Sequence, residues 1–171
     1  MSFWRTYYHI VWATDQRRHL LTPEVEQRLY PYLIRKATEE METYVHAING
    51  WYDHVHLVVS IPPKFAVADF VKLLKGGSSH DLNHAGGFEG SFAWQRGYGV
   101  FTLGETQRPM AEAYVNGQKQ HHQQGTTNGW LERCEEQDEG PPDTGLRVEG
   151  GVPPILREAP AEYKAWGAPP F

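Results

Sequence analysis

Four stretches of the chain are dense in β-branched and aromatic residues, and three others repeat apolar residues at helical spacing. Phe3 to Thr14 has no Gly or Pro and ends at the polar run Asp15-Gln16-Arg17-Arg18, so it reads as a strand. Thr22-Pro23-Glu24-Val25 then supplies a capping hydroxyl, a proline at the first helical position and an acid in the first turn. That start predicts a helix to about Glu42, with Pro31 as a point of kinking. Tyr44 to Asn49 and Tyr52 to Ile61 form two β-rich runs around Asn49-Gly50, a hairpin signal, and Pro62-Pro63 ends the second. From Ala66 to about Asn83, Val67, Phe70, Val71 and Leu74 recur at helical spacing, although Gly76-Gly77 weakens the pattern. A Gly-rich loop precedes a strand over Tyr98 to Leu103, and Pro109 to Gln123 reads as a final helix.

The order β-α-β-β-α-β-α predicts an α+β fold, an antiparallel sheet of ferredoxin-like or RRM-like type with helices on one face. The length, 171 residues, suits one such domain plus an extension. Mean hydropathy of −0.59 and the lack of a long apolar run argue against a membrane span. The start MSFWRTYYHI carries no secretory or transit pattern, which predicts a cytoplasmic protein.

Net charge is −5 with a pI near 6.0, at first sight a poor match to nucleic acid. Counting by region changes this. Residues 1–125 hold twelve basic and twelve acidic side chains, whereas residues 126–171 hold four and nine. The second stretch also carries seven of the twelve prolines. The composition therefore divides the chain into a neutral body, 1–125, with all nine histidines, and an acidic Pro/Gly-rich extension, 126–171. Trp130, Leu131, Ile155, Leu156, Tyr163, Trp166 and Phe171 are too many apolar residues for a fully solvated tail. The single cysteine, Cys134, excludes a disulfide framework and a cysteine-based zinc site.

Candidate chemistry centres on Asp53-His54-Val55-His56-Leu57. Side chains alternate along a strand, so His54 and His56 share one face, about 6–7 Å apart, while Val55, Leu57 and Val59 face the core. Two imidazoles so placed suit a divalent ion with open positions for substrate; the plainer alternative is a surface strand on which histidines alternate. In the last helix Tyr114 and Gln118 stand four residues apart on one face, offering a nucleophilic phenol beside an amide oxygen that could ligate a metal. An ordinary amphipathic surface has the same spacing.

The combination resembles the single-tyrosine HUH transposases of the smallest bacterial insertion sequences, the IS200-like family, together with their REP-associated, domesticated relatives. The resemblance spans about residues 4–123. It rests on Tyr8-His9-Ile10-Val11-Trp12-Ala13-Thr14, Ala47-Ile48-Asn49-Gly50, Asp53-His54-Val55-His56-Leu57, Ile61-Pro62-Pro63, Phe70-Val71-Lys72 with Leu74-Lys75-Gly76 and Ser78-Ser79, Phe92-Ala93-Trp94-Gln95 with Gly97-Tyr98-Gly99, and Tyr114 with Gln118 before His121-His122. It implies that His54, His56 and Gln118 hold Mg²⁺ or Mn²⁺ and that Tyr114 is the nucleophile, on the late helix of an RRM-like sheet. It also implies a homodimer whose tyrosine helix can serve the partner's histidines, in a cis or trans arrangement, acting on single-stranded DNA near a hairpin or imperfect palindrome. Two departures stand out: Gly117 costs its helix about 1 kcal/mol relative to Ala, and Asp15 is acidic where relatives tend to be basic.

Attack of a tyrosine on phosphorus stores the broken bond as a phosphotyrosine, so the step can reverse and join another strand. A free phenol is ionised only about one part in a thousand at pH 7, a deficit that a Lewis acid on the phosphate would offset. Arg17, Arg18, Lys72, Lys75 and Arg96 are candidate phosphate contacts, with Ser78 and Ser79 as hydroxyl donors; each also fits a plain surface role. Trp51, Trp94 and Tyr98 suit base stacking or core packing. His46 has a parity that would bring it toward the site, and His121 and His122 suit helix C-terminal charges. The sequence thus predicts a metal-dependent transposase that cuts and rejoins single-stranded DNA. Rival readings are a domesticated REP-associated nuclease of the same chemistry, a non-catalytic RRM-like module that binds single strands, and a hydrolase in which the histidines activate water.

Overall fold

The computed structural model describes residues 3–85 and 91–134. The chain divides into units of residues 1–138 and 139–171, and the second lies outside the described residues. So do the Gly-rich loop at 86–90 and the apolar residues Ile155, Leu156, Tyr163, Trp166 and Phe171.

Four antiparallel strands, β1 (Tyr7–Ala13), β2 (Tyr44–Trp51), β3 (His54–Ser60) and β4 (Gly99–Leu103), lie in the order β2-β3-β1-β4. β1 is thus central, paired with β3 on one side and β4 on the other. The helices are α1 (Pro23–Arg35), α2 (Val67–Ala85), α3 (Arg108–Asn116) and α4 (Gln118–Gln124). The predicted order and ferredoxin-like class hold.

One sheet face carries Ile10, Trp12, Val55, Leu57 and Val59, sealed by Leu29 and Leu33 of α1 and by Phe70, Val71, Leu74 and Leu82 of α2. Burial of these apolar side chains is the main source of stability, each worth about 1.5–3 kcal/mol. α1 starts as its sequence dictates: the Thr22 hydroxyl accepts from Val25 N, and Pro23 occupies the first helical position. Pro31 lies inside the helix, which passes into a π-helical turn at Lys36–Glu40. Gly76-Gly77 does not break α2. The ends of the Tyr32 and Lys36 side chains lie over Gly77, where a Cβ would meet them.

The hairpin differs from its prediction. β2 runs on through Gly50 to Trp51, and the turn falls at Tyr52-Asp53. Gly50 pairs with Val55, where a Cβ would lie 2.1 Å from the carbonyl oxygen of His54. It serves a close cross-strand approach rather than a turn. The predicted last helix is two, α3 and α4, hinged at Gly117 (φ −83°, ψ 3°).

That hinged pair accounts for a further difference: α1 and α2 share one face of the sheet, but the late helix takes the other. Ala111 and Val115 of α3 pack with Tyr7, Ala47, Val58 and Leu103. Period-2 alternation on β3 sends His54 and His56 to this second face, alongside α3. The chain does not leave the body at the compositional boundary near Gly125, which is the left-handed C-cap of α4 (φ 66°). Leu131 and Cys134 beyond it are buried, at 3% and 2% exposure.

Candidate active site

His54 and His56 are not on an open strand surface; their exposures are 2% and 0%. Each is backed on one ring nitrogen. His54 Nδ1–H donates to Asp53 Oδ1 at 2.6 Å, and Asp53 Oδ2 in turn accepts from Arg17 at 3.3 Å. His56 Nδ1 lies 2.8 Å from His9 Nε2, on the neighbouring central strand. The remaining nitrogens point to a common spot: His54 Nε2 and His56 Nε2 lie 3.0 and 3.1 Å from Glu132 Oε2. Fixing one imidazole nitrogen so that the other faces inward is how metal-binding histidines are oriented.

Tyr114 and Gln118 come to the same place although the helix breaks between them. The Tyr114 hydroxyl donates to Glu132 Oε1 and accepts from the Asn128 backbone N–H at 3.0 Å. Its ring stands edge-on to His56, centroids 6.2 Å apart, and stacks on His121 at 4.9 Å. Gln118 is fully buried; its Nε2 approaches Glu132 at 3.4 Å, and its Oε1 finds no hydrogen-bond partner among the described residues. An amide oxygen buried without a donor loses its hydration uncompensated, and the chemistry of this oxygen fits a ligand to a cation. Two imidazole nitrogens, an amide oxygen and a carboxylate form a mixed donor set that suits a divalent cation.

Burial, the largest influence, drives the His56 pKa down to about 4 and that of His9 down to about 3, so both rings stay neutral. His54 is held above the ordinary imidazole value: burial opposes its charge, but hydrogen bonds to Asp53 and Glu132 outweigh it. Burial likewise opposes the Glu132 carboxylate, yet its bonds to His54, His56 and Tyr114 hold it well below the carboxylate range. Burial and then Glu132 push the Tyr114 phenol up to about 12.

Residues 2–118 match the family described as Transposase IS200 like. The chain belongs to the IS200-like transposase family. It is 30% identical over 116 residues to the ISDra2 transposase TnpA of Deinococcus radiodurans, covering 65% of this chain and 82% of that one. It is 31% identical over 127 residues to the transposase for insertion sequence element IS200 of Salmonella typhimurium, covering 71% of this chain and 82% of that one. A solved structure of a Deinococcus radiodurans R1 protein described as a candidate transposase superposes with a TM-score of 0.54 at 29% identity, covering 69% of this chain and 95% of that chain. A REP-associated tyrosine transposase solved bound to a REP hairpin shares the fold, with a TM-score of 0.54 at 16% identity, covering 74% and 76% of the two chains. As a member of a transposase family, the protein is a DNA-processing enzyme.

Within this IS200-like chain, the other sequence candidates fall into two groups. Arg17 bonds Asp53 and the Cys134 sulfur, and Arg18 bonds the backbone carbonyls of Asp15 and Ser91. Lys75 Nζ donates to the carbonyls of Gln95, Arg96 and Gly97, at 2.5, 3.1 and 2.9 Å. Ser78 Oγ, buried, donates to Leu74 O and accepts from Trp94 Nε1; Ser79 Oγ donates to Phe92 O. Lys75, Ser78 and Ser79 hold the 92–97 segment against α2. Lys72 and Arg96 are exposed. Trp94 packs edge-on against Trp12 and Phe92, and Tyr98 packs against the core. Trp51 stacks on His122, with an interplanar angle of 9°. His46 is away from the histidine pair, bonded to Ser60 and Arg108. His122 lies beside the histidine pair, its Nε2 3.2 Å from that of His54.

The sequence reading gave no role to His9 or Glu132. His9 was within reach, since it occupies the parity opposite core residues Ile10 and Trp12 on a strand with no charge to solvate. Glu132 carried no signal, being one of nine acids in a stretch that composition marks as a tail.

Proposed function

We propose that this IS200-like transposase cleaves and rejoins single-stranded DNA through Tyr114, with a covalent 5′-phosphotyrosine between the two steps. The observation that carries the reading is the meeting, within one chain, of the Tyr114 hydroxyl, two inward-facing imidazole nitrogens and the unpartnered Gln118 oxygen. His54, His56 and Gln118 are the residues that would hold Mg²⁺ or Mn²⁺. An ion held there supplies Lewis-acid chemistry, neutralising charge on the scissile phosphate.

What the chain's own residues contribute follows from their placement. Asp53 and His9 keep the two imidazoles oriented, and a ligating His56 Nε2 puts the ring's proton on Nδ1, where it donates to His9. α3 holds Tyr114 for in-line attack: Oη gives up its proton as its bond to phosphorus forms, the phosphorus–O3′ bond breaks, and the 3′ oxygen takes up a proton and leaves as a hydroxyl, so protons balance over the step. Because the phosphate ester is conserved on tyrosine, a second 3′ hydroxyl can reverse the step and join a new strand. One tyrosine holds one 5′ end, so a homodimer would supply the second. The placement of Tyr114 beside its own histidines favours cleavage in cis.

Single-stranded DNA with a hairpin is the proposed substrate, with the exposed Lys72 and Arg96 as phosphate contacts. The test is denaturing electrophoresis of protein incubated with Mn²⁺ and labelled hairpin-bearing single strands. A slow-migrating adduct that chelator and Tyr114→Phe both abolish supports the proposal; cleavage without an adduct indicates a water nucleophile, and binding without cleavage a non-catalytic module.

A further inference from the structure

Glu132 lies beyond residues 2–118, the part that matches the family, yet its carboxylate lies against His54, His56, His122, Tyr114 and Gln118. One oxygen, Oε2, faces His54 Nε2 at 3.0 Å, His56 Nε2 at 3.1 Å and His122 Nε2 at 3.8 Å. The other, Oε1, accepts from the Tyr114 hydroxyl and lies 3.4 Å from Gln118 Nε2. We propose that Glu132 is a member of the active site, giving one carboxylate oxygen to the divalent cation and using the other to position the Tyr114 hydroxyl. The inference deepens the phosphotyrosine reading and rests on it.

The body is built to seat this residue. A Cβ on Gly99 would lie 1.9 Å from the Arg133 carbonyl oxygen, so the passing backbone requires glycine at the start of β4. Leu131 and Cys134 are buried on either side of Glu132, Gln95 Nε2 donates to the Cys134 carbonyl, and Arg17 reaches the Cys134 sulfur at 3.3 Å. Asn128 is tied at the other end, its N–H to Tyr114 Oη, while its Oδ1 accepts from Trp130 N at 3.0 Å. A side chain carried by so many anchors is placed by the fold rather than by chance contact.

Chemistry gives the carboxylate a purpose. Two neutral imidazoles and an amide oxygen carry no charge, which makes a weak site for a hard cation such as Mg²⁺ or Mn²⁺; a carboxylate adds both a hard donor and a negative charge. The same group bridges to the nucleophile, so tyrosine orientation and cation binding become linked through one side chain. Glu132 is thereby a positioning residue for Tyr114 as well as a ligand.

The experiment uses the full chain and Mn²⁺ alone as probe, with free Mn²⁺ read by electron paramagnetic resonance. Glu132→Gln, near-isosteric and uncharged, is expected to weaken Mn²⁺ binding at least tenfold, and to slow adduct formation with hairpin DNA even when Mn²⁺ is saturating. Unchanged Mn²⁺ affinity overturns the ligand role. Faster adduct formation overturns the proposal in favour of a carboxylate that stands where the DNA phosphate must go. Wild-type protein that binds no Mn²⁺ and forms no adduct overturns the site reading itself, and is told apart because no variant is involved. A second measurement needs no variant: Mn²⁺ should slow hydrogen exchange across residues 128–134, whereas unchanged or faster exchange contradicts coordination by Glu132.

Discussion

Asp53 Oδ1 accepts a 2.6 Å hydrogen bond from His54 Nδ1, and the same carboxylate is held from behind by Arg17. The relay runs from a surface guanidinium to the buried imidazole, fixing which nitrogen points inward. Asp53→Asn keeps the shape but can turn its amide group toward the ring. Loss of such an outer partner usually costs 10–100-fold in metal affinity. The expected result is an Mn²⁺ affinity reduced by that order with little change in melting temperature, measured by calorimetric titration; an unchanged affinity would show that His54 needs no such support.

Gly99 and Arg133 give a second prediction. Alanine at position 99 cannot coexist with the Arg133 carbonyl 1.9 Å from its Cβ, so the 128–134 segment must shift. Cys134, buried at 2% exposure, should then react quickly with a thiol reagent that labels wild-type protein slowly. Equal labelling rates would mean that the segment is not held at Gly99.

Lys75 separates structure from DNA contact among the basic candidates. Its three carbonyl partners at Gln95, Arg96 and Gly97 make it an anchor, and charged hydrogen bonds of this type are worth about 1.5–3 kcal/mol each before non-additivity. Lys75→Met should lower the melting temperature. Lys72→Ala and Arg96→Ala should leave it unchanged, while each reduces the salt dependence of single-strand binding by about 0.7 in log–log slope. The reverse pattern in paired melting and salt titrations would exchange the roles.

Acid should destabilise the metal-free fold through His9 and His56. Their folded pKa values, about 3 and about 4, lie below the ordinary 6.5, so between these limits the unfolded chain binds protons that the native state refuses. Their contribution is complete above pH 6.5 and is lost as pH falls toward 4 and then 3. His54, raised, acts in the opposite sense, losing its contribution as pH climbs through its folded value. Nitrogen-detected histidine NMR in chelator should find His9 and His56 neutral at pH 5; protonation of either near 6.5 would contradict their burial.

Much of this was legible beforehand because it is local. The Thr22-Pro23 cap and the strand parity of His54 and His56 are written in neighbouring residues. Failures of the sequence reading came where a distant partner set the meaning. Gly50 looked like a turn until Val55 lay opposite it, and Gly76-Gly77 looked like a weak point in a helix that runs unbroken to Ala85. The three carbonyls that Lys75 reaches across the fold are likewise not written in its neighbours. Glu132 was hidden twice, by an acidic compositional background and by 76 residues of separation from His56.

The central claim is that Tyr114 takes the DNA 5′ phosphate onto its own oxygen. Protein incubated with Mn²⁺ and a cleavable hairpin-bearing single strand, then digested with nuclease and protease, should yield a peptide spanning Tyr114 that carries a nucleotide through a 5′ phosphotyrosine bond in tandem mass spectrometry. A cut strand with that peptide unmodified, or with the nucleotide on any other residue, would contradict the account.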